Sequence, residues 1–285
     1  MNFIWNRHIS AGVHGTETPS AKIAFITNIH GGYETSCKPF VKQTIPVDFI
    51  CFTDNSNIRP NGWIIDTTPY HITSPSPLDT GKYINSLSNN KHTLNIGKYY
   101  KQAFKNIPRL RKYDIIVWLD GSIRITNTDC AEWILNKIHT DKIISVAHEW
   151  RYGNLHAEVV GSRVDKYTDE IWFNQKQPIQ NVDKHYETCI ADGYDETFFK
   201  QYHDKNPHIG VWVTCFIAWD NRDPSISTFL DKWYLQTLEH STQDQVSFSF
   251  VVQKTKIIPH TIPDPYYDTY THIKTTFYDK LPHGK

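Results

Sequence analysis

The residues of this chain best placed for chemistry sit at the end of an apolar run. Ile115-Ile116-Val117-Trp118-Leu119 leads into Asp120-Gly121-Ser122. A carboxylate that follows a strand apolar on both faces arrives at the carboxyl edge of a sheet, where open α/β sheets bind ligands. The adjacent glycine allows a ligand close to the backbone. Such a carboxylate suits a divalent cation that neutralises a diphosphate leaving group. The same three residues equally suit a plain turn, and spacing leaves both readings open. Upstream, Lys98 and Lys101 stand three apart on a helical stretch, so both ammoniums can face one diphosphate or one stretch of solvent.

Other strand ends carry further candidates. Asp54 closes Phe52-Thr53-Asp54, where it can accept a hydrogen bond from a ligand N–H or hydroxyl, or simply shape an Asx turn. His148 and Arg151 follow the apolar run from Ile143 and can reach a ligand at that edge. Trp150, Trp212 and Trp219 lie near strand ends, where an indole can cover the apolar face of a pyranose. With nine tryptophans in the chain, core packing is the competing role.

Elements that would position these residues can be read from hydrophobic periodicity. Lys22 to Asn28, Val47 to Asp54, Gly62 to Asp66, Ile115 to Asp120, Ile143 to His148, Gly210 to Trp219 and Lys256 to Pro259 read as strands. Lys91 to Asn106, Asp129 to His139, Tyr186 to Tyr202, Pro224 to His240 and Gln243 to Gln253 read as helices. Between Pro69 and Asn90 the chain is rich in Pro, Ser, Thr and Asn, which predicts a long surface excursion able to carry acceptor contacts. Alternating strands and helices predict an α/β fold with a mainly parallel central sheet flanked by helices. One domain is expected over 1–285, with 1–20 as an amino-terminal extension and 265–285 as an aromatic tail.

Composition narrows the function. The 285 residues include 30 basic and 30 acidic side chains, interspersed along the chain, so no broad field favours nucleic acid or an anionic membrane. Five scattered cysteines without a CxxC pair argue against a disulfide framework or a structural zinc site. No segment approaches about 18 uninterrupted apolar residues, the length a membrane span requires. A cytoplasmic protein is expected.

Three blocks together resemble a known family: Tyr99-Tyr100-Lys101, Tyr113 through Ile123, and Thr242-Gln243-Asp244-Gln245-Val246-Ser247-Phe248. They are similar to nucleotide-sugar glycosyltransferases of GT-A fold. Among these they resemble the plant cell-wall and mucilage-related group formerly of unknown function, and glycosyltransferases of large algal DNA viruses. The resemblance spans most of Lys22 to Asp264 in scattered blocks. It implies a Rossmann-like GT-A domain that transfers a sugar, xylose or a hexose, from a UDP-sugar to a hydroxyl of an oligosaccharide or glycoprotein glycan. A viral origin would place it in host cytoplasm.

Carried across, Asp120 matches the first aspartate of the family's DxD-type motif, and Ser122 stands where many members have the second. A hydroxyl ligates cations poorly, so either Mn2+ or Mg2+ finds another ligand or Lys98, Lys101 and Arg124 neutralise the phosphates. His260 matches the late histidine that completes some metal sites, with a structural histidine as the alternative. Gly31-Gly32-Tyr33 resembles the loop that holds the base, with Tyr33 stacking on uracil or half-buried in the core, and Asp54 accepting from the uracil N–H or a ribose hydroxyl or shaping its turn alone. Asp244 and Gln245 match an acceptor-lining Asp-Gln step. Inversion is the favoured outcome because a carboxylate base candidate, Asp244, is visible; a retaining enzyme would use it for positioning, and at a helix start the dipole alone would favour it. A catalytically silent carbohydrate-binding protein and a nucleotidyltransferase are the competing readings.

Overall fold

A computed structural model describes residues 21–78, 93–164, 171–172, 175–176, 180–262 and 277–283. The expected amino-terminal extension lies outside the described residues, as do most of the surface excursion and the first part of the tail. In chain order the strands and helices are β1 (Ile23–Ile29), β2 (Val47–Thr53), β3 (Ile64–Asp66), the single turn α1 (Tyr70–Thr73), α2 (Thr93–Gln102), β4 (Ile115–Leu119), β5 (Ile123–Ile125), α3 (Cys130–Asp141) and β6 (Ile143–Ala147). There follow α4 (Leu155–Gly161), the small pair β7 (Ile171–Trp172) and β8 (Gln175–Lys176), α5 (Val182–Ala191), β9 (Trp212–Asp220), α6 (Pro224–Glu239), α7 (Asp244–Thr255), β10 (His260–Ile262) and β11 (Tyr278–Lys280).

Seven strands form the central sheet in the order β10-β6-β9-β4-β1-β2-β3. All neighbours run parallel except β9, which is antiparallel to both β4 and β6. This is the α/β architecture with a mainly parallel sheet that the sequence predicts.

Alternation along the strands fills two cores. Ala24, Ile26, Ile116, Trp118, Ile217 and Trp219 enter one cluster, and Ile23, Phe25, Ile115, Val117, Phe216 and Ala218 enter the other. Strands buried on both faces lack polar alternation, which is why β4 is apolar at every position. On one face α2, α6 and α7 pack together, with α2 against β1 and α7 against β9, while α3 packs against β6 and β9. All five cysteines are free and buried.

Several expected boundaries move. The helix predicted over 186–202 is α5, ending at Ala191, followed after a turn by a 3-10 segment at Phe198–Tyr202. The strand predicted at 256–259 begins only at His260, because Lys256 takes a left-handed φ of 57° that ends α7. The expected carboxy-terminal tail contains β11, which pairs antiparallel with β5. Tyr278 of β11 is buried and stacks on Phe216 at 5.5 Å.

Candidate active site

From β1 the chain moves outward through β2 and β3, then returns to place β4 on the other side of β1. A reversal of this kind leaves a crevice beyond the carboxyl ends of the two strands, the usual ligand position in open α/β sheets. Asp120 follows β4 directly, and His30 and Gly31 follow β1. Gly121 lies against the end of β1: a Cβ placed there would meet Ile29 Cγ1 at 3.5 Å, an ordinary contact, so packing within the protein does not require glycine.

Asp120 is fixed by its own strand and by α2. The Trp118 indole Nε1 donates to its Oδ1 at 2.8 Å, and the Lys101 ammonium stands 3.5 Å from the same oxygen. The backbone turns here, with Ile123 N–H donating to the Asp120 carbonyl. The Asp120 side chain keeps 45% of its surface exposed, so it faces the crevice while remaining oriented. Ser122 does not share that position. It is buried, and its carbonyl accepts the Leu281 N–H at 2.8 Å.

Lys101 is the centre of the arrangement. Its side chain is 3% exposed, and its ammonium reaches Asp244 at 2.7 Å and the Thr214 hydroxyl at 3.0 Å. The rings of Trp118 and Trp233 flank it at 5.7 and 5.8 Å. Burial alone would lower its pKa, but Asp120 and Asp244 outweigh that and hold it above the ordinary lysine value. Lys98, one turn earlier, reaches the same Asp244 oxygen at 2.7 Å and is less buried. The helical spacing thus brings both ammoniums to one place, and in the free protein that place is a carboxylate. Burial would raise the pKa of Asp244, yet Lys101 and Lys98 together hold its carboxyl well below the usual range.

A second buried carboxylate, which no sequence pattern marks, lies beside this group. Glu158 of α4 accepts from Arg151 Nε at 2.7 Å, Gln243 Nε2 at 2.8 Å and Ser162 Oγ at 3.2 Å, with His148 Nε2 at 3.4 Å. Burial raises its pKa, Arg151 and Ser162 oppose that, and the nearby Asp244 adds to the rise. Gln243 therefore joins the helix start that carries Asp244 to the loop that carries His148 and Arg151. Burial and the Arg151 charge lower His148 to about 4, so it is neutral at pH 7. Gln245 sits half-buried in the first turn of α7.

On the β1 side, Asp54 accepts the Gly31 N–H with both oxygens, at 3.2 and 3.0 Å, and so ties the loop after β2 to the loop after β1. Tyr33 is half-buried and meets the ring of His283 at 4.6 Å. His283 in turn contacts the buried Glu34 through Nδ1 at 2.6 Å, and Lys38 donates to the Pro282 carbonyl at 2.9 Å. The segment after β11 is thereby seated on the β1 loop and beside Ser122, a long-range partnership that sequence spacing cannot reveal.

Three expectations meet a different geometry. His260 cannot share a cation with Asp120. Register runs from His260 through Ile144 and Ala218 to Val117, placing three strand spacings, roughly 14 Å, between its strand and β4. Its Nδ1 stands 3.3 Å from Asp141. Trp212 is fully buried between Phe199 and Phe248 and donates to Thr261 Oγ1, so no indole face is left for a sugar. Arg124 is ion-paired with Asp279 of β11 at 2.6 Å, which offsets the positive charge expected to serve a phosphate. Trp219 is likewise core, whereas Trp150 is exposed. Among the described residues no three His, Cys, Asp or Glu side chains gather as a metal-binding group, and no helix is long and apolar enough to cross a membrane.

No protein-family model matches the chain, and no curated protein matches it in sequence. Among solved structures, the apo form of the bifunctional glycosyltransferase WbbM is similar over 87% of this chain and 39% of that chain, with 10% identity and a TM-score of 0.42. The chain therefore spans about two fifths of that protein's length.

Proposed function

We propose that the chain is a glycosyltransferase that takes a sugar from a UDP-sugar at the β1/β4 crevice and passes it to a glycan hydroxyl. The observation that supports this most strongly is the Lys98–Asp244–Lys101–Asp120 charge group beside the reversal point of the sheet. Departure of a nucleoside diphosphate requires fixed positive charge at the leaving oxygens, and this group holds two ammoniums in place before a ligand arrives. Lys101 already engages Asp244, Thr214 and Asp120, so it acts through its field. Lys98, the less buried of the two, is the diphosphate ligand in this reading. Tyr33 and Asp54 would meet the base and ribose at the end of β1.

For a divalent cation the described residues offer the oriented, half-exposed carboxylate of Asp120, while Ser122 is buried and His260 lies elsewhere. Magnesium is commonly held by one carboxylate with substrate phosphates and water completing its shell. In this reading Asp120 would hold Mn2+ or Mg2+ together with the donor phosphates, and the cation would supply further neutralisation of the leaving phosphate.

Asp244 bears on stereochemistry. A general base works best with a pKa near the working pH, whereas two lysines push this carboxyl the other way. Its geometry fits a carboxylate that pins the lysines, which favours retention of configuration over inversion. Product anomers read by proton NMR test this: an inverted linkage would restore Asp244 as a base.

The activity itself is tested with a panel of UDP-xylose and UDP-hexoses, with manganese or with chelator, alone and with oligosaccharide acceptors. Release of UDP that Asp120→Ala abolishes is the expected result. Release of pyrophosphate from a nucleotide would indicate a nucleotidyltransferase. Glycan binding without turnover would indicate a silent carbohydrate-binding protein.

A further inference from the structure

Beyond β6, on the same edge of the sheet as Asp120, the loop 148–154 displays two large aromatic side chains to solvent. Trp150 is 53% exposed and Tyr152 65% exposed. Water-facing aromatics of this size are ordinarily carried by pliable loops, but this loop is locked. Tyr152 holds a left-handed φ of 47°, a conformation that costs a non-glycine residue about 1 kcal/mol or more. Gly153 and Gly210 press together: a Cβ on Gly153 would meet the Ile209 carbonyl oxygen at 2.5 Å, and one on Gly210 would meet the Gly153 carbonyl oxygen at 2.6 Å. Between the aromatics, Arg151 turns inward to the buried Glu158. His148 N–H bonds to the Val211 carbonyl. The ring of His208 backs Tyr152 at 5.2 Å, and that of His148 approaches Trp150 at 6.4 Å.

The geometry points to a carbohydrate subsite on this ledge, in which Trp150 and Tyr152 stack on pyranose rings of the acceptor beyond the one that receives the new sugar. The inference rests on the glycosyltransferase reading for the word acceptor. Strand β6 is two strand spacings from β4, roughly 10 Å, the reach of a disaccharide from the chemistry at Asp120. Rigid aromatic faces bind flat apolar ring faces with little loss of side-chain freedom. Two side chains offer far less area than a stable protein interface of about 1,200 Å2 or more requires, which favours a sugar over a protein partner. The substrate class implied is an oligosaccharide or longer glycan, in preference to a monosaccharide or a bare peptide side chain.

Calorimetric titration of the whole chain, with and without saturating UDP, tests the ledge using α- and β-linked gluco-, xylo- and galacto-oligosaccharides from mono- to tetrasaccharide. Affinity in the wild type should rise from monosaccharide to trisaccharide. Trp150→Ala should remove about tenfold of the trisaccharide affinity, change the monosaccharide affinity less, and be largely rescued by Trp150→Phe. Ile190→Ala, which alters an exposed apolar side chain on α5, serves as the surface control. Equal trisaccharide affinity in wild type and Trp150→Ala would overturn the subsite, as would UDP binding without any oligosaccharide binding. Oligosaccharide binding that depends on Trp150, with no UDP binding under any condition, would keep the subsite and sink the transferase reading.

Discussion

Lys101 is where residue chemistry and stability meet. A fully buried ammonium is tolerable only with its charge matched, and here the match is Asp244 with help from Asp120. Replacing it by methionine leaves Asp244 buried with Lys98 as its remaining ion-pair partner. Lys101→Met should therefore cost about 3–5 kcal/mol in urea unfolding, and Lys98→Met clearly less because its side chain retains more water contact. Equal costs would mean that burial does not govern this group. At this scale the sequence was informative about placement where a residue follows a strand end or a helical spacing. Asp120 could be read from its apolar run, and the lysine pair from its three-residue step. Glu158 could not, because nothing in Leu155-His156-Ala157-Glu158-Val159-Val160 marks that carboxylate as buried. Its role comes from Arg151 and Gln243, which the fold brings from 7 and 85 residues away. Trp212 and His260 misled for the related reason that position near a strand end does not say which way a side chain points or how far away a strand lies.

At the scale of elements, two glycines should behave in opposite ways. Gly153→Ala forces a Cβ onto the Ile209 carbonyl at a φ of 69°, so it should destabilise by about 1–3 kcal/mol and loosen the aromatic ledge. Gly97 lies within α2, and a Cβ there would meet Asn28 Oδ1 at an ordinary 3.5 Å. Gly97→Ala should stabilise by about 0.5–1 kcal/mol through helix propensity and a stiffer unfolded chain. Thermal melts of the two variants check both signs, and a destabilised Gly97→Ala would show α2 seated more tightly against β1 than the contact distance implies. The long buried strands were legible because a strand covered on both faces is apolar throughout. Strands β5 and β11 were not, since each has three residues and owes its existence to a partner about 155 residues away.

For the whole molecule, buried histidines set the response to acid. His185 is wholly buried beside His240 and Gln236, and burial, with His240 adding to it, lowers its pKa to about 3. Between that value and the unfolded value of about 6.5, the unfolded chain binds the proton and the folded chain does not. Stability is thus complete above pH 6.5 and falls as pH drops, by up to about 1.4 kcal/mol per pH unit from this residue. His30 and His148, each lowered to about 4 mainly by burial, act in the same direction. Below pH 4, protonation of Asp244, whose folded pKa is depressed, removes further stability. Urea midpoints at pH 7 and pH 5 should separate, and His185→Gln should narrow the gap; an unchanged gap would mean that His185 does not carry the slope.

The charge group at the β1/β4 crevice is proposed to receive a nucleoside diphosphate, and paired titrations with UDP and uridine on wild type and Lys98→Met test this. Uridine lacks the phosphates and reports whether the base site is intact. Lys98→Met should weaken UDP binding about tenfold and leave uridine affinity unchanged. UDP binding equally to both proteins would contradict it.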